Sequence, residues 1–330
     1  MDDIAENASS MHANMRIPTL SPATAEQLLT SHVIGMRYQW RVLKITGKDT
    51  ASFLQGQMTQ DIRLLTPAQA IHACVLTPQG KAVSEIYVLM ADEQEYLMLA
   101  PACAAEALVT RLRQFALGHQ VRIGILPSFA VCSVQGAHAH AGLAPFELEQ
   151  PGSSWLSTTF HPKHALAAMT MPADPAGYWL VGPEDMLKAH MESAHAVDEE
   201  ELEAMRIIRG IPMFGKEWDA SVHPLNANLI ELHGVSFNKG CYVGQEVTSR
   251  MHWRGAIRKK LYRLRLGNAP IVLPCAIHQG GQAVGQLRSA AIDHQGSVFG
   301  IALLPIASAE KQGTLDMGGT PVTVIEPCHA

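Results

Sequence analysis

The chain has 330 residues, of which 47% are hydrophobic and 17% charged, and its formal net charge at pH 7 is −5. Single cores stop growing near ~250–300 residues, so we expect two or three domains. The six cysteines are widely spaced without a C-x-x-C pair, which favours free thiols over a disulfide framework. No stretch approaches the ~20 apolar residues of a membrane span, and the acidic start resembles neither a signal nor a transit peptide. We therefore expect a cytoplasmic protein with no membrane partner and a disordered N-terminus at residues 1–20.

The first part of the chain, residues 21–120, mixes strand and helix signals. Strands are predicted at residues 38–46, 70–77, 82–90 and 96–99, and helices after Asp49 or Thr50, which are placed to cap, and at 102–117. Pro78, Gln79 and Gly80 form a turn signal between two of these strands. Such a mixture is typical of an α+β layer with an antiparallel sheet.

A second αβ subdomain is assigned to residues 121–200 and a return segment to 201–255. The predicted elements are strands at 121–126, 130–134 and 177–181, a loop at 136–175, and helices at 184–194 and 198–209. Gly210 follows the last helix, where a C-terminal glycine is favoured. In residues 256–330 the pattern changes to short β runs with frequent Gly and Pro, which indicates a small barrel or sandwich.

The most informative segment runs from Lys239 to Glu246 and reads Lys-Gly-Cys-Tyr-Val-Gly-Gln-Glu. A thiol between two glycines, near a lysine and a helix start, is expected to be more acidic than a free thiol. Glu246 and Arg250 are spaced i,i+4, so they should share one helix face. Packing seldom requires this arrangement, and we interpret the segment as a functional site.

Three roles for Cys241 remain open from the residues alone: covalent nucleophile, metal or cluster ligand, and small packed residue in a ligand pocket. His223 and His252 are the available bases, but nothing in the sequence places either beside the thiol. Metal binding is not expected: the sixteen histidines contain no H-x-x-x-H pair with a carboxylate, and His138-x-His140 lies in a presumed loop. No phosphate-binding G-x-x-x-x-G-K-[ST] loop exists, which argues against ATP-driven work.

Charge is distributed unevenly around this segment. No acidic residue occurs between Glu246 and Asp293, and that interval holds eight cations: Arg250, Arg254, Arg258, Lys259, Lys260, Arg263, Arg265 and Arg288. A local basic surface on an acidic protein favours a specific anionic ligand or partner and argues against direct binding of nucleic acid. The alternative is that some of these residues simply face solvent from strands.

Taken together, the segments 239–246, 53–61, 77–81 and 210–212, with Arg250 and Arg254-Gly255, resemble the YgfZ family. This family consists of folate-binding proteins related to the aminomethyltransferase (T-protein) of the glycine cleavage system. The resemblance runs from about Trp40 to residue 328. It implies an α+β fold with two αβ (ferredoxin-like/aminomethyltransferase-type) subdomains around a central hole and a C-terminal β-barrel.

The resemblance also implies a ligand and a role. The ligand is tetrahydrofolate or another reduced folate. The role is accessory: the family assists the assembly or repair of iron–sulfur proteins, and these client proteins include enzymes that modify tRNA. Trp40 matches a tryptophan of the family's folate site, and an indole is a suitable platform for a pterin or aminobenzoyl ring. Arginine binds carboxylates bidentately, which suits the glutamyl tail of a folate. The expected folate-binding residues are Trp40, Lys239, Gly240, Tyr242, Gln245, Glu246, Arg250 and Arg254, with Cys241 as the functional thiol.

Two departures from the family pattern bear on catalysis. The transferase branch carries adjacent carboxylates where this chain has Ser84-Glu85, which puts aminomethyl transfer in doubt. Leu202 stands where some members place a second tryptophan, so half of an aromatic clamp is absent or supplied elsewhere. A folate-dependent aminomethyl- or methyltransferase remains the alternative, and the sequence leaves open whether the protein is an enzyme.

Overall fold

Two antiparallel five-stranded sheets and a closed barrel contain the sixteen strands of the described residues. In this computed structural model those residues are 17–171, 177–191, 195–310 and 314–329. The strands are β1 Val33–Met36, β2 Trp40–Thr46, β3 Ile71–Leu76, β4 Ala82–Asp92, β5 Glu95–Pro101, β6 Arg122–Ile125, β7 Phe129–Gln135, β8 Thr158–His161, β9 Leu166–Met171, β10 Gly177–Pro183, β11 Lys259–Leu266, β12 Cys275–Gln279, β13 Gln282–Ile292, β14 Val298–Pro305, β15 Leu315–Met317 and β16 Thr320–Pro327. The α-helices are α1 Pro22–Thr30, α2 Thr50–Gln57, α3 Ala105–Phe115, α4 Glu184–Met191, α5 Glu199–Ile208, α6 Gln245–Trp253 and α7 Ile306–Glu310.

The first sheet has the strand order β3-β4-β5-β2-β6, and α2 and α3 bury their apolar sides against it. β2 ends at Gly47, whose φ of +128° and close approach to the Gln120 carbonyl exclude a side chain. Phe53 and Leu54 of α2 are buried against the sheet. Helix α2 continues through Gly56 and ends at Gln57.

The second sheet has the order β1-β7-β10-β9-β8 and differs most from the sequence prediction. The stretch 136–175 was predicted to be loop, but it contains β8, β9 and a 3₁₀ segment at Ala139–Phe146. β9 reads Leu-Ala-Ala-Met-Thr-Met, which carries little intrinsic β preference, and pairing with β10 and β8 makes it a strand.

The two sheets exchange a strand each across the boundary assigned at residue 120. β1 lies in the segment assigned to the first subdomain but pairs with β7 of the second sheet. β6 lies beyond residue 120 but pairs with β2 of the first sheet. The subdomains are therefore interleaved in sequence, because strand pairing depends on contacts between distant segments.

The C-terminal barrel closes in the order β11-β14-β13-β12-β15-β16, and α5 packs across β13. Residues 17–20, ahead of α1, lie against this barrel, with the Leu20 N–H donating to the Ile292 carbonyl at 2.9 Å. Residues 17–20 are therefore ordered, contrary to the prediction of disorder through residue 20; residues 1–16 lie outside the described ranges. Within the described ranges, no helix has the length and apolar character needed to cross a membrane.

Candidate functional site

An aromatic cavity lies where the two sheets pack against each other. Trp40 begins β2 of the first sheet, Trp179 lies in β10 of the second, and Tyr87 extends from β4. The ring centroids of Trp40 and Trp179 are 4.9 Å apart at an interplanar angle of 60°, and Tyr87 lies 5.5 Å from each. These edge-on contacts are the geometry that aromatic rings prefer. Trp179 thus provides a second tryptophan beside Trp40, while Leu202 is buried in the core.

The cavity is narrow as well as aromatic. The space between its side chains is about 500 Å³ including the open mouth, but only about 30 Å³ admits the centre of a water molecule. Its polar lining comes from Arg37, Ser133, Gln135, Arg206 and Arg209. A ligand with fused rings therefore enters only if the aromatic side chains move apart.

Arg37 is the unusual group in this cavity. Its side chain is buried, and among the described residues it forms no salt bridge. One guanidinium nitrogen donates to the Ser133 hydroxyl at 3.4 Å, and Nε has no hydrogen-bond partner within the described ranges. Burial lowers the pKa of Arg37 to about 10, so the group remains a cation at neutral pH. Its charged centre lies 5.7 Å from the Trp179 ring, close enough for a cation–π contact.

Arg206, by contrast, is fully paired. Its guanidinium donates to both carboxylate oxygens of Glu203 at 2.6 and 3.0 Å and to both of Glu217 at 2.9 and 2.8 Å. It also donates to the Ile211 carbonyl at 2.5 Å. Burial raises the pKa of Glu203, but the Arg206 charge outweighs that effect and lowers it to about 2. This network anchors the segment after α5 that forms one wall of the cavity.

A buried histidine–glutamate pair supports Tyr87 from behind. The His72 ring stacks on Tyr87 with centroids 4.8 Å apart. His72 Nδ1 faces the Leu232 carbonyl at 2.8 Å, so it must donate there, and Nε2 lies 2.9 Å from Glu85. The other Glu85 oxygen accepts the Phe214 N–H, and the Ser84 hydroxyl donates to the Glu85 carbonyl at 2.7 Å. Ser84 and Glu85 are thus engaged in the protein interior.

The Lys239–Glu246 segment contacts the end of α2 through its lysine. Lys239 Nζ donates to the carbonyls of Gln55, Met58 and Gln60 at 2.7–2.8 Å. Burial lowers the pKa of Lys239 to about 8. Its ammonium is therefore committed to the 55–60 backbone and holds the thiol loop against the first subdomain. Tyr242 is also buried, and burial raises its pKa to about 12.

The thiol itself lies on the surface of this loop. Cys241 is exposed, as is Gly240 before it. Gly244 takes φ +84° and approaches the Thr77 carbonyl so closely that a Cβ would lie 2.7 Å from it, so only glycine fits there. Gln245 then starts α6 and accepts the Tyr242 N–H. Glu246 and Arg250 form the predicted i,i+4 ion pair at 2.5 Å, which confirms their shared helix face.

The predicted site residues thus fall into two places. Trp40 lies in the aromatic cavity, which is lined by none of the motif residues 239–246 and by neither Arg250 nor Arg254. Arg250 and Arg254 are exposed on or just after α6. Sequence reasoning missed Arg37, Tyr87 and Trp179. The available signal was weak: Arg37 lies three residues before Trp40, and Trp179 lies in a predicted strand.

The basic run after the motif is partly neutralised by carboxylates. Lys260 pairs with Glu231 at 2.5 Å and Arg263 with Glu326 at 3.0 Å, both from the barrel strand β11. Their side chains are only 25% and 24% exposed, so neither points freely into solvent. Arg254, Arg258 and Lys259 are exposed. Because Lys260 and Arg263 are paired with carboxylates, the cationic surface near the thiol loop is smaller than the eight cations of the sequence indicate.

Comparisons with known proteins agree on the fold. Residues 38–159 match the GCVT N-terminal domain family. Over 257 residues, 74% of this chain and 75% of the relative, the chain is 27% identical to the tRNA-modifying protein YgfZ of Yersinia enterocolitica. It is 28% identical over 229 residues to the YgfZ of Klebsiella pneumoniae strain 342, covering 68% and 69% of the two chains. The chain is a homologue of the YgfZ proteins and carries a GCVT domain.

This YgfZ homologue shares its fold with a solved aminomethyltransferase over almost the whole length of both chains. The crystal structure of glycine cleavage system aminomethyltransferase T from Bartonella henselae superposes with a TM-score of 0.80. The match covers 99% of this chain and 96% of that one at 16% sequence identity. The predicted fold class, two αβ subdomains with a C-terminal barrel, is confirmed.

Proposed function

We propose that this YgfZ homologue binds tetrahydrofolate, or another reduced folate, in the aromatic cavity between its two sheets. The observation that carries the proposal is a buried cation, Arg37, beside two tryptophans in a cavity, with its Nε unpartnered and no salt bridge to it among the described residues. A folate combines flat rings with carboxylates, and this lining complements both. The GCVT domain and the aminomethyltransferase-like fold support the same ligand class.

The ring system of the ligand would lie between Trp40 and Trp179, and Arg37 would receive a carboxylate or carbonyl oxygen. An arginine hydrogen bond to a charged oxygen is worth more than a neutral one, and the cation is already desolvated. Residues Lys239 and Tyr242, which were expected to contact folate, would instead hold the thiol loop in place.

For the biological role we propose an accessory factor that assembles or repairs iron–sulfur proteins and thereby supports tRNA modification. The relatives carry the name tRNA-modifying protein. The exposed Cys241, on a loop held by three lysine hydrogen bonds, is placed to meet a client or assembly protein. We propose that the protein acts in the cytoplasm. The proposal includes neither direct contact with nucleic acid nor a membrane partner.

The alternative is a folate-dependent aminomethyl- or methyltransferase. Such an enzyme needs an acid–base group that reaches the one-carbon unit. Glu85 is held by His72 and by the Phe214 N–H, and Ser84 donates to a backbone carbonyl, so neither presents a free acid to the cavity. The accessory role is therefore the better supported function.

Tetrahydrofolate should raise the melting temperature of the purified protein, since a ligand that binds only the native state stabilises it. Trp40→Phe and Trp179→Phe should each reduce that shift, because each removes indole stacking area while keeping the core filled. The measurement is a thermal melt at several ligand concentrations, with the quenching of tryptophan fluorescence as a second signal.

Trp253→Phe is the matched control, because Trp253 is 72% exposed on α6 and outside the cavity. It should leave the ligand response unchanged. An unaltered shift in both Trp40→Phe and Trp179→Phe would remove the cavity from the folate proposal.

Cys241→Ala and Cys241→Ser should fail to restore tRNA modification in cells that lack the protein, although both variants should melt and bind folate like the parent. The reason is that the thiol is exposed and separate from the cavity, so its loss affects partner chemistry and not folding. Cys103→Ser is the matched control at a second exposed thiol. Full rescue by both Cys241 variants would show that the thiol has no functional role.

A further inference from the structure

A cluster of two histidines and one glutamate lies on the second sheet, away from the aromatic cavity and the thiol loop. Its members are Glu147, at the end of the 3₁₀ segment, His161, at the end of β8, and His164, in the turn before β9. One ligand atom from each lies within 4.8 Å of the other two. We propose that these three side chains bind a divalent transition-metal ion of the zinc class.

The distances in the cluster suit a shared ion better than direct hydrogen bonds. Glu147 Oε2 lies 3.8 Å from His161 Nε2 and 3.6 Å from His164 Nε2. Hydrogen bonds between N–H and O require about 2.7–3.2 Å, so both gaps are too long. Two ligands of one tetrahedral zinc lie about 3.3–3.6 Å apart, given metal–ligand distances of about 2.0–2.2 Å. A small movement of the three side chains towards one another would bring their ligand atoms to the spacing of a tetrahedral zinc site.

Both imidazoles place a ring nitrogen near the same carboxylate oxygen. The rings of His161 and His164 stack with centroids 4.5 Å apart and an interplanar angle of 26°, and Nε2 of each is the atom that lies near Glu147 Oε2. His161 Nδ1 is buried and has no hydrogen-bond partner among the described residues. Neutral imidazole nitrogen and a carboxylate oxygen are ligands that zinc accepts. The ring nitrogens of His161 are thus unused in the protein alone.

Contacts of the surrounding chain hold Glu147 and His161 in place before any ion binds. His161 is paired with Leu166 across the β8–β9 hairpin. The Glu147 N–H donates to the carbonyls of Leu143 and Ala144, and the Thr159 hydroxyl donates to the Glu149 carbonyl at 2.8 Å. A metal ion would therefore join the 139–147 segment to the hairpin, with the fourth position open to water because only three ligands come from the protein.

The sequence expectation of no metal arose because the ligands are distant in the chain. His161 and His164 were assigned to a loop, and Glu147 lies fourteen residues before His161. The other histidine pair, His138 and His140, has ring centroids 6.0 Å apart in an edge-on arrangement. That pair forms no three-residue group with a carboxylate within the described ranges.

The test is a titration of tag-free, EDTA-treated protein with ZnCl₂ and, separately, with CoCl₂. Because thiolates bind both metals, the parent protein carries Cys103→Ser and Cys241→Ser. We expect one saturable site per chain, a rise in melting temperature on binding, and a Co²⁺ spectrum without a thiolate charge-transfer band. His161→Ala and His164→Ala should each weaken zinc binding by more than about 100-fold, beyond the roughly 10–100-fold cost of losing a group that only supports a metal ligand.

His138→Ala/His140→Ala is the matched control and should bind zinc like the parent. Glu147→Gln keeps the size of the side chain and should also weaken binding, because it removes the charge that offsets the ion. The proposal is overturned if the parent shows no saturable site, or if His161→Ala or His164→Ala retains an affinity within about tenfold of the parent.

Discussion

Arg206→Met should lower the free energy of unfolding by about 3–5 kcal/mol, the usual cost of breaking a buried ion pair on one side. Methionine fills a similar volume, but it leaves the Glu217 carboxylate without its cation and Glu203 with only Lys216, whose Nζ lies 4.0 Å away. Glu217 has no exposed side-chain surface, so water cannot replace the lost partner. Urea denaturation monitored by circular dichroism measures the effect.

A second variant separates lost charge pairing from lost packing. Adding Glu217→Gln to Arg206→Met removes one buried charge while keeping an oxygen that accepts the Met213 N–H, which lies 2.8 Å from Glu217. The double variant should therefore be more stable than Arg206→Met alone. The matched surface control is Arg254→Met, which should change stability by no more than about 0.5 kcal/mol. A loss below about 1 kcal/mol for Arg206→Met would contradict the role assigned to the network.

Arg37→Met should have opposite effects on the free protein and on the complex. Burial lowers the pKa of Arg37 to about 10 in the folded state, below its value in the unfolded chain, so its charge destabilises the fold at neutral pH. Each unit of such a difference corresponds to about 1.4 kcal/mol, and we expect the ligand-free variant to be more stable by about 1–3 kcal/mol. This difference in stability should shrink as the pH rises above about 10, where the folded state loses the proton before the unfolded state does.

Tetrahydrofolate should bind Arg37→Met about 10–100-fold more weakly, because a hydrogen bond to a charged group contributes about 1.5–3 kcal/mol. Isothermal titration calorimetry measures the affinity, and thermal melts of the free variant measure its stability. Arg111→Met is a suitable control, since Arg111 is partly buried over the Phe115 ring and lies outside the cavity. Unchanged affinity in Arg37→Met would show that the cation serves some other ligand or none.

Local signals in the sequence predicted much of the fold. The helix from Asp198 is capped by the Asp198 side chain, which accepts the Glu201 N–H at 2.9 Å, and it closes at Gly210 with φ +75°. The Glu246–Arg250 pair forms as its spacing predicts. Both features depend on residues within about one helical turn of each other, so the chain itself carries the necessary information.

Strand assignment failed where no local preference existed. β9 is rich in alanine and methionine, and its strand conformation depends on its neighbours in the sheet. The exchange of β1 and β6 between the sheets likewise depends on partners about a hundred residues away. Pairing of this kind leaves little trace in the periodicity of a single strand.

The sequence by itself determined two things about this protein. Its motifs resemble those of a known family, and that resemblance implied two αβ subdomains and a barrel. The residues around Cys241 predicted a loop with glycines on both sides of the thiol. Only the tertiary structure decided that Trp40 shares a cavity with Trp179, Tyr87 and Arg37 and not with the thiol. The physical reason is the separation in sequence between the residues that make each feature. Turns, caps and helix faces are built by neighbouring residues, whereas a cavity between two sheets is built by side chains that long-range strand pairing brings together.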